Sequence, residues 1–87
     1  MARHAKKPQE ESEYKEAARL FRVRLSDLLS DCEMTTAEAS TKLGFTQSYL
    51  STMFASERIP SGWALIKMSR EFDVSVEYLL GIKDTWY

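Results

Sequence analysis

An all-α domain of five helices joined by short loops is encoded in this 87-residue chain, and two patterns lead to it. Apolar residues recur at steps of three and four, as on one face of a helix, and never in the sustained period of two that a half-buried strand needs. Turn-forming residues fall between those periodic stretches, with Pro8, Gly44, Pro60, Gly62 and Gly81 marking the joints.

The first helix is expected from about residue 10 to 32. Ala17, Ala18, Phe21, Leu25, Leu28, Leu29 and Cys32 share one face, and Glu11 four residues before Lys15 supports the helix by a few tenths of a kcal/mol, about the value for such pairs. On this pattern Cys32 is a core residue. Thr35 with Glu38 three residues later forms a capping-box pattern for a two-turn second helix that Gly44 ends. Thr46 is placed to cap a third helix over 47–55. Its apolar edge is Leu50, Met53 and Phe54, and its other side, Gln47, Ser48, Ser51 and Thr52, is polar and uncharged. A fourth helix carries Trp63, Ile66, Met68 and Phe72, with Trp63 and Phe72 expected in the core. Ser75 caps a short fifth helix over 76–80, stopped by Gly81.

Composition excludes several classes of function. With 44% hydrophobic and 29% charged residues the chain is of ordinary globular make-up. No apolar run approaches the roughly 18 residues of a membrane span, and no secretory leader opens it. Cys32 is the single cysteine and His4 the single histidine, so neither a disulfide nor a Cys/His metal centre can be assembled. No phosphate-binding glycine loop or zinc-protease motif is present. An enzyme is not expected, nor a cofactor or metal, and the place of action is cytoplasmic. Net charge is −1, but residues 1–30 hold seven basic against five acidic side chains, whereas residues 31–87 hold five against eight. Positive charge gathers at the front.

Two short helices joined by a glycine turn, the second with a polar outer face, describe a helix-turn-helix. Ser40 is small where the two helices must approach, and Ala39, Leu43, Phe45, Leu50 and Met53 supply the inner side. The flanks add to this. Lys6-Lys7, Glu16-Ala17-Ala18-Arg19-Leu20, Met34-Thr35, Lys42-Leu43-Gly44, Gln47-Ser48, Phe54 and Val74-Ser75-Val76-Glu77 follow in an order and spacing that resembles the Cro/C1-type (Xre-like) helix-turn-helix family. The resemblance covers about four fifths of the chain, from Lys6 to Tyr78. It implies a lambda-repressor-like fold with a basic arm at 1–9, a five-helix domain at 10–82 and a short tail at 83–87.

The resemblance also implies sequence-specific binding to duplex DNA, as a homodimer repressing transcription from a palindromic operator. By position, Gln47, Ser48, Tyr49 and Thr52 would face bases, a glutamine amide being able to pair bidentately with adenine. Thr36, Arg22, Ser51 and Arg58 would meet phosphates and fix register rather than sequence. Three departures from the family's habit stand out: Thr36 where a glutamine is common, Tyr49 where a small residue is common, and Ala55-Ser56 where Asn-Gly is common. The recognition helix carries no Arg or Lys, so it offers no bidentate guanine contact.

Arg3, Lys6 and Lys7 suit an arm that enters a groove, though a solvated terminus would look the same. In the lambda-repressor-like fold that the resemblance implies, the last helix and its surroundings make the dimer contact, which puts Tyr78, Leu79, Ile82 and Trp86 at a two-fold interface. Two other functions share the fold: an antitoxin that binds a toxin and represses its own operon, and a protein-interaction module without DNA binding. The uncharged recognition helix keeps the latter open, since phosphate neutralisation dominates DNA affinity.

Overall fold

The structure is a computed structural model and describes residues 8–87. Five helices follow one another: α1 (Pro8–Asp31), α2 (Thr36–Lys42), α3 (Tyr49–Ala55), α4 (Gly62–Phe72) and α5 (Val76–Leu79), with no strand among the described residues. With 24 residues α1 is the longest element, and its buried side chains join those of the four shorter helices in one core.

The core forms where the periodic faces meet. Ala18, Phe21, Leu25 and Leu29 of α1 lie buried against Ala39 and Leu43, Leu50, Ala64, Leu65, Met68, Val74 and Leu79. Phe21, Leu25, Leu50, Met68 and Leu79 are fully enclosed. Each side chain of that size contributes about 1.5–3 kcal/mol by leaving water. Phe72 packs half-buried against this centre, with Leu28, Met53 and Phe54.

Four of the five helices end in the same way. Glu33, Gly44, Asp73 and Gly81 have positive φ, at 55°, 87°, 55° and 80°. In each case the next residue's N–H reaches back five positions: Met34 to Leu29 (2.9 Å), Phe45 to Ser40 (2.9 Å), Val74 to Ser69 (3.1 Å) and Ile82 to Glu77 (2.8 Å). This is the Schellman closure, which satisfies carbonyls that the last turn leaves over. Two of the four positions are not glycine and carry the cost of a Cβ in left-handed backbone.

Three expectations are corrected. Cys32 is exposed, not buried: α1 stops at Asp31, and the Schellman turn through Glu33 swings residue 32 off the apolar stripe. Trp63 is 57% exposed. The buried stripe of α4 is Ala64, Leu65 and Met68, and Trp63, at the second residue of the helix, falls beside it. The third helix begins at Tyr49 rather than Gln47, and Thr46 serves it through its carbonyl, which accepts from the Tyr49 N–H (3.0 Å), not through its hydroxyl as a cap.

Gly81 is the least replaceable of the helix ends. A Cβ built there lies 2.5 Å from Leu20 Cδ1, in addition to the strain of its φ. Gly81→Ala is expected to lower unfolding stability by more than about 1 kcal/mol in urea denaturation. Glu33→Gly, which relieves a left-handed non-glycine residue, is expected to leave stability unchanged or raise it by up to about 1 kcal/mol. An unchanged Gly81→Ala variant would contradict the packing described.

Candidate nucleic-acid interface

The helix-turn-helix is pinned by one buried hydroxyl. Ser40 Oγ donates to the Thr36 carbonyl (2.7 Å) and accepts from the Leu50 N–H (2.9 Å). Leu50 is the second residue of α3, so its N–H is among those at a helix start that no carbonyl of the same helix reaches. Ser48, in the N-cap place, makes no side-chain cap. The cap for α3 therefore comes across from α2.

At its own start α2 has a complete capping box. Thr35 Oγ1 accepts from the Glu38 N–H (3.1 Å) and Glu38 Oε1 accepts from the Thr35 N–H (2.9 Å). These bonds hold the Glu38 carboxyl below its ordinary range, chiefly through the Thr35 backbone N–H. The amides of Thr36 and Ala37 are the two left at the helix start for an outside acceptor, with the Glu38 carboxylate close by.

The joint is aromatic. After Gly44, Phe45 stacks on Tyr49 with ring centroids 4.1 Å apart and planes at 24°. Burial pushes the Tyr49 phenol above its ordinary value. Tyr49 is thus half-buried packing as well as a surface residue, and Phe45 holds its ring on one side. Lys67 of α4 stands over the Phe45 ring, 4.6 Å from its centroid.

Leu50 faces inward and Met53 and Phe54 are half-buried, which leaves Ser51, Thr52 and Ala55 as the exposed face of α3, with Ser48 exposed at its N-cap and Gln47 exposed in the turn before it. Gln47, Ser48, Ser51 and Thr52 form one continuous uncharged surface. Ser51 Oγ donates to the Ser48 carbonyl (3.0 Å), so its oxygen is what remains to offer. Gln47 also borders a shallow depression with Ala37, Glu38, Thr41 and Lys42 of α2.

Helix α1 supports the segment after α3. Arg22 Nη1 donates to the Ser56 carbonyl (3.3 Å), and the Tyr14 hydroxyl accepts from the Ile59 N–H (2.9 Å). Arg58, between them, is exposed. Arg22 is therefore partly committed to the protein itself. Arg3, Lys6 and Lys7 lie outside the described residues.

The four C-terminal candidates separate. Ile82 and Trp86 are 70% and 60% exposed. The Tyr78 ring lies beneath the Arg24 guanidinium, 4.4 Å away, while Leu79 is fully buried. Leu79 therefore belongs to the core and presents nothing to a second subunit. Arg24 was not recognisable as important from sequence: it donates to the carbonyls of Tyr78 and Lys83 and meets Asp84, partners more than 50 positions away.

Residues 32–79, more than half of the chain, match the sequence pattern of a helix-turn-helix family. The chain belongs to the Cro/C1-type helix-turn-helix family. It is accordingly a DNA-binding helix-turn-helix regulator. Comparison with curated proteins and with solved structures gave no match. The helix-turn-helix match begins just after α1 and runs through α5, so Tyr14, Arg22 and Arg24 stand before it. None of the described helices is long and apolar enough to cross a membrane.

Two outcomes are expected of this Cro/C1-type pair of helices. Ser40→Ala leaves the Leu50 N–H buried without an acceptor, and should cost about 1–3 kcal/mol in chemical denaturation. Glu38 stabilises the fold only while ionised. Its folded value lies below the ordinary 4.5, so its contribution is complete above that pH and is lost as pH falls through the folded value. Replacing it as Glu38→Gln should flatten the acid limb of melting temperature against pH.

Proposed function

We propose that this regulator is a transcriptional repressor that binds a palindromic operator as a homodimer. The observation that carries the reading is the continuous exposed face of Gln47, Ser48, Ser51 and Thr52, set on a helix whose inner side is locked to α2. Such a face fits a major groove, where hydrogen bonds and methyl contacts distinguish base pairs.

In this reading Gln47 pairs with a base through its amide, Ser48 and Thr52 add a hydroxyl and a methyl, and Tyr49 offers the exposed edge of its ring to a thymine methyl. Thr36, Arg22 and Arg58 serve the phosphates on either side, Ser51 does so by turning its hydroxyl proton from the Ser48 carbonyl to the phosphate, and Arg3, Lys6 and Lys7 extend the contact as an arm. Arg22 acts through the guanidinium nitrogens not given to Ser56. Tyr78, Ile82 and Trp86 form the two-fold contact, the last two being exposed apolar groups on a small domain.

Selection from a pool of random duplexes at near-physiological salt tests this directly. A palindrome with two half-sites is the expected product. A single half-site would remove the homodimer, and an unenriched pool from folded protein would remove sequence-specific binding. Gln47→Ala with Ser48→Ala should then abolish preference for the recovered site, at about 1–3 kcal/mol for each lost base contact, without lowering the melting temperature. Repression is read from a reporter carrying the recovered site across its promoter: expression should fall when the protein is supplied.

A further inference from the structure

Affinity for duplex DNA comes mainly from neutralised phosphates, yet the exposed face of α3 holds no cation. The charge must stand beside the helix. Of the nearby cations, Lys42 is paired with Glu71 at 3.2 Å, and Arg22 gives a nitrogen to Ser56. Lys67 differs from both. Its ammonium lies 4.6 Å from the Phe45 ring centroid and 5.6 Å from that of Trp63, and it makes no ion pair among the described residues. Two π faces hold a cation in place and leave its charge intact.

Its location follows from the same contacts. Phe45 stacks directly on Tyr49, the first residue of α3, so the ammonium is one aromatic ring away from the start of the recognition helix. It also closes over the turn: a Cβ at Gly44 would lie 3.1 Å from Lys67 Nζ. A major groove is about 12 Å wide. A duplex that admits the first turn of α3 must therefore place a phosphate strand close to this turn. Trp63, 57% exposed at the start of α4, has no core to fill and forms the outer wall of the lysine's seat.

We propose that Lys67, seated between Trp63 and Phe45 at the turn of the helix-turn-helix, is a backbone-phosphate contact that supplies charge the recognition helix lacks. Trp63 is its positioning residue. The inference rests on the proposal that the Gln47 end of α3 enters the major groove, and it assigns a role to two side chains outside the expected contact set.

The test is the salt dependence of binding by the full chain, measured by fluorescence anisotropy on two duplexes: the one recovered by selection and one of mixed, unselected sequence. Lys67→Gln should weaken both alike, by about eightfold at 0.1 M salt, and reduce the slope of log K against log salt by about 0.9. The Lys67→Arg variant should restore the slope. The Trp63→Ala change should weaken binding in the parent protein and add nothing in the Lys67→Gln background. A merely structural Trp63 would lower affinity equally in both. Circular dichroism and melting confirm that each variant is folded, and Trp63→Phe, which keeps a ring, replaces Trp63→Ala if the latter unfolds.

An unchanged slope in folded Lys67→Gln overturns the assignment. If Gln47→Ala with Ser48→Ala still erases the preference between the two duplexes, the reading of α3 survives that failure. If the parent protein binds neither duplex, both fall together.

Discussion

Ser40 takes both parts a hydroxyl can play, giving its proton to Thr36 in its own helix and receiving one from Leu50 in the next. It is fully buried, so neither bond competes with water, and a mismatch on either side would leave a polar group without a partner. That bond sets the distance and angle between α2 and α3 more narrowly than apolar packing alone. Everything on the outer side of α3 inherits that setting. Gln47 and Ser48 precede the pinned residue by two or three positions, and Ser51 and Thr52 follow it at once. Gly44 makes the close approach possible by turning the chain through a positive φ, and the Phe45–Tyr49 stack fills the corner behind it.

Helix α1 acts as a brace for the segments the other helices leave loose. It holds the stretch after α3 at two points, Arg22 on the Ser56 carbonyl and Tyr14 on the Ile59 N–H. It holds the C-terminal segment through Arg24, which collects two carbonyls and lies on the Tyr78 ring. The Trp86 carbonyl also accepts from the Ser75 N–H (2.7 Å), drawing the tail back to the start of α5. A single helix thus fixes both ends of the α3–α5 half of the fold.

Much of this could be read from the sequence because it rests on local chemistry. The capping box at Thr35 and Glu38, the small Ser40, the glycine turn and the apolar stripe of Phe21, Leu25 and Leu29 are each set by neighbours a few residues away. The residues misread from sequence sit where a helix begins or ends. Cys32 continues the spacing of α1 on paper, but the helix stops one residue before it. Trp63 is large and apolar, yet it stands on the first turn of α4, beside the buried stripe. Leu79 stands between the half-buried Tyr78 and Leu80, and a four-residue helix gives periodicity too little length to separate inside from outside. Contacts such as Arg24 with Tyr78 or Lys67 with Phe45 join distant parts of the chain, and no local pattern announces them. The exposed polar face of α3 was legible as a face, whereas the cation beside it became visible only when α4 was folded against the turn.

The stretch that carries the family pattern, residues 32–79, is not a detachable cassette. Phe21 and Leu25 lie fully buried at the centre of the core, and both come from outside it. Grafting that stretch onto another scaffold would transplant the exposed polar face of α3 without the beam that carries it. Leu50 and Met68 would be stripped of their inner cover, and the loop bearing Arg58 would lose its anchor points. Substitutions on the outward positions of α3 leave that support in place, with α1 retained as the chassis.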